Sequence, residues 1–391
     1  MESASKIKVA IIADDVDRVG MGSAIVLRRL IEQYRKEFSN KLDLTLICKQ
    51  GGCRHEICRG VRMLPVRMLK LPKFSGFFSY LIFFISAPYR FDVIHFPRPS
   101  LHPFFWFLKV FRKAGKIVVT FHGAPDTPNI PIFQTLMNYV NRWNIILIGQ
   151  FFIDACIADS HIAVQQVASY YKIPVKKIHA VYLSADESFR IMETEEKADA
   201  EKRVGEICKI STPYILTVAR LDPHKNIHRL IEAFLLLKKG KNIPHTLLIV
   251  GGKHDPAYSK KIEDLIRNSG AESSVVMAPF IDDSDMPSVY AAADLFVFVS
   301  LSEGFGIPLI EAMKTGVPVV ASSVSAMPEV TGGGALLVNP YDITEIGRGM
   351  ETMLFDQEMR QRYIQKGSAR GQEFSWKRMA AENFELYESH S

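Results

Sequence analysis

Short apolar runs alternate with longer amphipathic segments through the first half of the chain. The runs predict strands at Ile7–Ala13, Leu42–Cys48, Val93–Phe96, Ile117–Phe121, Ala155–Ala158 and Ile178–Val181. The segments between them have helical spacing and predict helices at Ser23–Phe38, Phe77–Ala87, Phe104–Lys113, Ile132–Ile148 and Ile162–Tyr171. Strands that are separated by helices indicate a parallel, doubly wound α/β sheet.

A charged segment that is poor in apolar residues, 188–209, interrupts this pattern. The alternation then restarts, with strands predicted at Tyr214–Val218, Thr246–Val250, Val275–Ala278, Leu295–Val299, Val317–Ala321 and Ala335–Val338. The 391 residues suffice for two domains of ordinary size. We therefore predict one Rossmann-like domain over residues 1–186, a second over 187–371, and a terminal helix within 372–391.

Two glutamates frame the most informative segment of the second half. Glu303 and Glu311 lie on either side of a glycine-containing stretch, and apolar runs before and after it predict strand, glycine loop, helix and strand. Glycines let a ligand approach the backbone, and the N–H groups that begin a helix attract phosphate. Two carboxylates placed there can bind hydroxyls on both sides of a diphosphate, which is the layout of a nucleotide sugar. The alternative is an ordinary strand–helix–strand crossover with exposed acids.

The segment SLSEGFGIPLIEAMKTGVPVV resembles the E-x7-E signature of the retaining glycosyltransferases of family four. The order, the spacing and the internal G-F-G-x-P all agree with that family. The resemblance implies the B-type glycosyltransferase fold, in which two Rossmann-like domains face a central cleft. It also implies that the C-terminal helix, within 372–391, crosses back to the first domain.

A second segment, TVARLDPHKN, resembles the family pattern G-R-L-x-x-x-K-N, with Ala219 in place of the usual glycine. Arg220 and Lys225 follow a predicted strand, and open α/β sheets bind ligands at the carboxyl ends of their strands. An arginine fork and a lysine ammonium can offset the charge of a diphosphate. The alternative is two surface cations beside a tight turn.

The resemblance extends donor binding to a set of residues in the second domain. Phe280, after a predicted strand, is expected either to contact the nucleobase or to belong to the core. The full set expected to contact the donor is Arg220, Lys225, Phe280, Glu303, Gly304, Phe305, Gly306, Leu309, Ile310 and Glu311. The catalytic members implied are Glu303, Arg220 and Lys225, together with His122 of the first domain.

His122 follows a predicted strand of the first domain, where the family often has a histidine that contacts the transferred sugar. Its alternative is a structural histidine paired with backbone. Asp126 is expected to orient His122 or to touch the acceptor. Gly20 and Gly22 resemble the family loop that admits the acceptor, or form a simple tight turn. This loop lacks the third glycine and the later acid of a dinucleotide site, which disfavours an NAD-dependent dehydrogenase.

Charge and amino-acid composition limit the possible ligands and the cellular location of the protein. The net charge of +6 is mild and compatible with anionic donors, anionic lipid surfaces or nucleic acid. The hydrophobic content of 48% indicates full cores rather than disorder. Five scattered cysteines indicate a reducing compartment, and neither a signal peptide nor a run of transmembrane length is expected. We therefore expect a cytoplasmic protein, at most bound to the inner face of the membrane.

Residues 57–91 combine arginines and lysines with aromatic side chains and contain no acid. Such a stretch predicts a basic, aromatic helix that contacts an anionic membrane and suits a lipid-linked acceptor. The alternative is a buried helix beside a solvated basic loop. No nucleic-acid motif accompanies the stretch, so nucleic acid is not expected as a partner.

The resemblance therefore implies a retaining, metal-independent glycosyltransferase without a cofactor. It would move a hexose from a UDP- or GDP-linked sugar to a glycan or lipid-linked acceptor in polysaccharide or cell-envelope synthesis. The alternatives are a non-catalytic nucleotide-sugar-binding subunit, or a phosphorylase or epimerase of the same fold.

Overall fold

The computed structural model of the chain describes residues 5–14, 16–17, 22–69, 75–99, 105–123, 142–143, 145–210 and 213–389. Its contacts divide the chain into two compact units. The first unit holds residues 1–183 and 376–391, and the second holds residues 184–375. The chain thus leaves the first unit once and returns to it for the terminal helix.

A seven-stranded parallel sheet forms the centre of the first unit, in the order β3-β2-β1-β4-β5-β6-β7. Its strands are β1 Ile7–Ile12, β2 Leu42–Lys49, β3 Arg62–Val66, β4 Phe91–Phe96, β5 Ala114–Phe121, β6 Ala155–Ala158 and β7 Ile178–Ala180. Its helices are α1 Gly22–Glu37, α2 Ser75–Ser86, α3 Phe105–Val110 and α4 His161–Tyr171, with a π-helical turn Ile145–Gly149 leading into Gln150–Phe152 and 3-10 turns Glu56–Cys58 and Val175–Lys177. Buried aliphatic and aromatic residues of the strands and helices form its core.

The second unit contains a six-stranded parallel sheet in the order β10-β9-β8-β11-β12-β13. Its strands are β8 Tyr214–Val218, β9 Thr246–Val250, β10 Val275–Met277, β11 Leu295–Phe298, β12 Val319–Ser322 and β13 Leu336–Val338. Its helices are α5 Thr194–Cys208, α6 Ile227–Lys241, α7 Pro256–Asn268, α8 Met286–Ala291, α9 Ile307–Lys314, α10 Met327–Thr331, α11 Ile343–Phe355 and α12 Gln357–Gln372, with a 3-10 turn Pro223–Lys225. The four central strands, β9, β8, β11 and β12, are almost fully buried, as expected of parallel sheets covered on both faces.

The terminal helix, α13 Trp376–Glu388, packs on α1 of the first unit. Lys116 of β5 donates hydrogen bonds to the backbone carbonyls of Leu386 and Ser389, and Tyr387 bonds Nδ1 of the buried His95 at 2.6 Å. The ring of Phe384 lies 4.8 Å from that of Phe38. These contacts make α13 an integral part of the first unit.

The predicted fold class is confirmed, with two parallel Rossmann-like sheets, but one strand was missed. Strand β3 has the sequence RMLPV and lies at the edge of its sheet. Proline is tolerated there because an edge strand needs fewer backbone donors. The strand was not predicted because its proline and arginine make it resemble the rest of the basic segment 57–91.

The helix predicted at Phe77–Ala87 is observed as α2, but the basic side chains of 57–91 lie outside it, as in the alternative of a helix beside a basic segment. Helix α2 itself carries no charged residue, and the arginines lie before and after it; Arg62, for example, lies on β3 and stacks on the ring of Tyr89. Tyr80 and Phe84 are buried in the core, while Phe78, Ile82 and Ile85 are exposed. Within the described residues, no helix has both the length and the apolar character required to cross a bilayer.

Candidate active site

The order of the second sheet reverses between β8 and β11, which are neighbours although they are distant in sequence. The carboxyl ends of strands at such a switch point form the usual ligand crevice of an open α/β sheet. The loop after β8 contains Arg220 and Lys225, and the loop after β11 contains Glu303. The topology therefore brings these predicted residues to one edge of the sheet.

Backbone and side-chain hydrogen bonds join the two loops. The N–H of Leu301 donates to the carbonyl of His224 at 2.7 Å. Asn226 is fully buried in the left-handed conformation (φ 60°), and its Nδ2 donates to the carbonyls of Val299 and Pro340. The asparagine of the K-N pattern thus fixes the loop that carries Lys225.

Lys225 and Glu303 form an ion pair, with Nζ 2.5 Å from Oε1. Their side chains are only 15% and 12% exposed, so solvent screens the pair less than an ordinary surface pair. Ser325 holds the backbone of Glu303, since its Oγ accepts from the N–H at 3.0 Å and donates to the carbonyl at 2.9 Å. A lysine and a carboxylate are thereby fixed together at the sheet edge.

Arg220 is the more accessible cation, because 43% of its side chain is exposed. Its guanidinium lies 3.4 Å from Oδ2 of Asp222, and the other oxygen of this buried carboxylate lies 2.6 Å from Nδ1 of His254. The turn is close-packed: Gly251, with φ 150°, has no room for a side chain, since a Cβ there would lie 2.0 Å from the carbonyl oxygen of Ala219. The guanidinium is therefore oriented but still reachable by a ligand.

Helix α9 begins after Gly306, whose φ of 99° is strained for other residues, and Pro308 lies in its first turn. The side chains of Phe305, Leu309 and Ile310 are buried, and Phe305 packs on Phe374. These three predicted donor contacts can reach a ligand only through their backbone. Gly304 lies in the loop that precedes the helix.

Glu311 lies about one turn inside α9, and Oε2 accepts a 2.6 Å hydrogen bond from the hydroxyl of Tyr290 on α8. Burial raises the pKa of Glu311 to about 7; the hydrogen bond from Tyr290 opposes this rise, and the charge of Asp283 adds to it. This carboxyl is accordingly poised to gain or lose a proton near neutral pH.

Phe280, after β10, is 76% exposed, so the alternative of a core residue does not describe it. An exposed aromatic ring at the carboxyl edge of the sheet is available for stacking. Whether it contacts a nucleobase remains a prediction.

In the first unit, His122 follows β5 and its Nδ1 lies 3.0 Å from Oδ2 of Asp159, which follows β6. Gly22 is the first residue of α1. Gly20 and Asp126 lie outside the described residues. Within the described part of the chain, Asp159 is thus a hydrogen-bonding partner of His122.

Four partners of the predicted residues were missed from the sequence, namely Asp159, Asp222, Tyr290 and Ser325. Asp159 carried a detectable signal, because it follows a predicted strand and the carboxyl ends of neighbouring parallel strands meet at one edge. Tyr290 and Ser325 carried none, since their roles depend on how helices and loops pack.

No group of three or more His, Cys, Asp or Glu side chains in the described parts of the chain has an arrangement that could hold a metal ion. All five cysteines are buried and free of disulfide bonds. Cations, carboxylates and the beginning of a helix lie at the carboxyl edge of the second sheet.

Two family profiles match the chain. The profile of "Glycosyltransferase Family 4" matches residues 21–189, and that of "Glycosyl transferases group 1" matches residues 201–370. Together they cover most of both units.

Two of the curated relatives from Escherichia coli illustrate the similarity. The serotype-specific mannosyltransferase WbdA is 30% identical over 224 residues, which is 57% of this chain and 27% of WbdA. The O-antigen chain mannosyltransferase B is 33% identical over 176 residues, which is 44% of this chain and 45% of that protein. The alignments thus span less than half the length of each of these relatives.

A solved structure of HepE from Anabaena, in complex with UDP and glucose, superposes with a TM-score of 0.77. It is 18% identical in sequence and covers 98% of this chain and 100% of its own. At this identity the likeness establishes the fold alone.

Proposed function

Because this chain belongs to the family-four glycosyltransferases with the B-type fold, we propose that it is a retaining hexosyltransferase. It takes the sugar from a UDP- or GDP-linked donor and passes it to a glycan or lipid-linked acceptor. The names of two relatives support mannose as the sugar, and one of them supports a polysaccharide product. The UDP and glucose in the HepE structure support a nucleotide-sugar donor.

The observation that carries this proposal is the Lys225–Glu303 pair at the switch point of the second sheet. The diphosphate binds at the beginning of α9, where backbone N–H groups and Arg220 meet its charge. Lys225 then turns from Glu303 towards the diphosphate. Glu303 is released to accept hydrogen bonds from the sugar hydroxyls, and Glu311 accepts them from the ribose.

The reaction breaks the bond between the anomeric carbon and the diphosphate oxygen. The acceptor hydroxyl oxygen bonds to the same face of that carbon, and its proton passes to a diphosphate oxygen. The charge that develops on the diphosphate meets fixed cations and dipoles, which lowers the barrier without a metal ion.

The test is a donor panel followed by transfer. UDP-glucose, GDP-mannose and ADP-glucose are compared for their effect on the melting temperature, since a ligand of the native state raises it. The stabilising donor, with a labelled sugar, is then incubated with lipid-linked and glycan acceptors. Glu303→Gln should lose on the order of 100-fold in transfer, whereas Lys241→Ala, in an exposed pair with Glu351, should transfer normally.

Other outcomes would favour the alternatives. Binding without transfer, unchanged by Glu303→Gln, would indicate a nucleotide-sugar-binding subunit. An epimerised nucleotide sugar formed without acceptor, or a sugar phosphate formed with inorganic phosphate, would indicate an epimerase or a phosphorylase. An inverted anomeric configuration in the product would overturn the retaining mechanism.

We also propose that the first unit contacts an anionic membrane surface at the inner face, which suits a lipid-linked acceptor. Phe78, Ile82 and Ile85 form an exposed apolar stripe with helical spacing on α2, and Arg67 and Arg90 flank that helix. Co-sedimentation with phosphatidylglycerol vesicles should fall in the variant I82N/I85N. It should persist in Val175→Asn, which changes an exposed valine elsewhere in the same unit. Equal sedimentation of all three proteins would reject this contact.

A further inference from the structure

His122 and Asp159 meet because their strands are in register. Phe121 of β5 is the pairing partner of Ala158 of β6, so the next residue of each strand emerges at the same sheet edge. Nδ1 of His122 lies 3.0 Å and 3.2 Å from the two carboxylate oxygens of Asp159. A carboxylate can only accept hydrogen bonds, so the hydrogen of this contact belongs to Nδ1.

The carboxylate of Asp159 is almost inaccessible, with 5% of its side chain exposed, whereas 23% of the His122 side chain is exposed. A buried carboxylate is costly unless a cation or hydrogen bonds compensate it. Loss of a positive charge on His122 would therefore raise the free energy of the pair. The imidazole, in contrast, keeps an accessible edge on which its charge can act.

The other groups around the ring act in known directions. Burial favours the neutral ring, but the charge and hydrogen bond of Asp159 outweigh it, and the pKa of His122 is raised above its usual value. A hydrogen bond with the backbone at Pro97 adds to this rise, and the charge of Arg98 opposes it.

A second histidine, His95 of β4, lies near enough to interact electrostatically with His122. Both of its ring nitrogens are engaged, one with Tyr387 and the other with Thr120. Burial lowers the pKa of His95 to about 3, so this ring is neutral at physiological pH. The pKa values of two histidines on neighbouring strands are thus shifted in opposite directions, and of the two His122 is the one that bonds a carboxylate.

We propose that Asp159 is a positioning residue that keeps His122 as an imidazolium, so that His122 serves sugar transfer as a fixed cation and not as the base that deprotonates the acceptor. This inference rests on the proposed function. It gives Asp159 a role in the reaction although the carboxylate need not touch a substrate. It also agrees with a reaction in which the diphosphate oxygen takes the proton.

The two roles for His122 predict opposite pH dependence. A cation is lost as the pH rises through the pKa of His122, so transfer should fall on the alkaline side. A base is lost as the pH falls through that pKa, so transfer would fall on the acid side. Asp159→Asn should move the alkaline fall of kcat to lower pH, because the ring then holds its proton less tightly.

The experiment compares Asp159→Asn, Asp159→Glu and His122→Gln with the wild-type protein. The control is Asp154→Asn, which changes a carboxylate at the other end of β6 that bonds Lys109 and the N–H of Ile117. NMR of histidine-labelled protein, with the His122 signal assigned by His122→Gln, measures the pKa of His122 directly. Transfer is measured from pH 6 to pH 9.

Asp159→Asn should lower the NMR pKa of His122. Its kcat should fall about tenfold at pH 8, approach that of the wild type at pH 6, and change with little effect on the KM for the donor. Asp159→Glu should restore most of both properties, and Asp154→Asn should leave both unchanged. Unfolding curves of each variant separate these effects from loss of fold.

An unchanged NMR pKa in Asp159→Asn, or a wild-type kcat that falls on the acid side as His122 protonates, overturns the inference while the transferase function stands. A shifted NMR pKa in a protein that transfers no sugar leaves the ion pair intact but removes the proposed function and, with it, the catalytic role of His122.

Discussion

Glu303 and Glu311 belong to one motif, yet their surroundings differ. Glu303 lies in the loop before α9 and faces the ammonium of Lys225 at 2.5 Å. Glu311 lies inside the helix, faces the neutral hydroxyl of Tyr290, and has a pKa raised to about 7 by burial. The motif fixes where the two carboxyl groups lie, whereas their packed neighbours decide whether each one faces a cation or a neutral hydroxyl.

The difference suits two separate tasks. A carboxylate that is paired with a lysine becomes available to bind a ligand when the lysine turns towards a diphosphate. A carboxyl group that titrates near neutrality binds hydroxyls best after it has lost its proton, because the carboxylate offers more lone pairs. We expect donor binding to shift lysine contacts at Glu303 and to release protons at Glu311.

Removal of Lys225 should have the largest effect. Lys225→Ala leaves Glu303 without its cation and takes a positive charge from the diphosphate, so transfer should fall on the order of 100- to 1,000-fold. The measurement is kcat/KM with the stabilising donor. The double variant K225A/E303Q should recover melting temperature but not activity, and a recovery of activity would contradict the proposed roles.

The raised pKa of Glu311 predicts a pH-dependent stability. The folded state binds this proton more tightly than the unfolded state, so the free energy of unfolding should fall as the pH rises from 4.5 to about 7. Glu311→Gln cannot titrate, and it should reduce the loss between pH 5 and pH 8 by on the order of 2 kcal/mol. Urea unfolding at the two pH values measures this.

The control for this experiment is Glu263→Gln, which alters an exposed carboxylate paired with Lys253. If Glu311→Gln and Glu263→Gln show the same pH dependence as the wild type, the carboxyl of Glu311 does not titrate in this range.

Tyr290→Phe should distinguish Glu311 from Glu303 with a smaller effect. Loss of the hydroxyl removes the hydrogen bond that opposes the rise of the Glu311 pKa, so the carboxyl should hold its proton to higher pH. Nucleotide affinity at pH 6.5 should fall about fivefold, or about 1 kcal/mol, and less at pH 8.5. Calorimetric titration with the stabilising nucleotide tests this, and an equal loss at both pH values would contradict it.

Ser325→Ala should have the smallest effect and should act on Glu303 alone. The variant removes two hydrogen bonds to the backbone of Glu303, which should raise the KM for the donor a few-fold and lower stability by about 0.5 kcal/mol. The pH dependence of unfolding should remain that of the wild type, because Glu311 is untouched. A change in that dependence would mean that the two carboxyls are coupled.

The strands of the second sheet were predictable because parallel strands are continuous apolar runs, whereas their order in the sheet was not. The positions of Arg220, Lys225 and Glu303 followed from their place after such strands. The partners of the two glutamates were harder to predict, since Ser325 bonds Glu303 across a folded turn and Tyr290 bonds Glu311 from a different helix.

Buried side chains explain the remaining differences. Phe305 and Leu309 lie within the motif, but their side chains are buried because the loop and the helix of the motif also pack on the core of the second unit. Strand β3 was not predicted because Pro65 and Arg62 interrupt the apolar run by which a strand is recognised. Spacing indicates which residues share a neighbourhood, but only packing determines which atoms face outward.

The placement of α13 in the first unit constrains how the protein is made. Residues 376–388 are translated after the whole of 184–375, so the second unit can fold while the first still lacks the helix that covers Phe38 and bonds His95. During synthesis, the first unit therefore has an uncovered apolar patch until α13 has been translated. A pause in translation after the second unit should expose that patch to chaperones for longer.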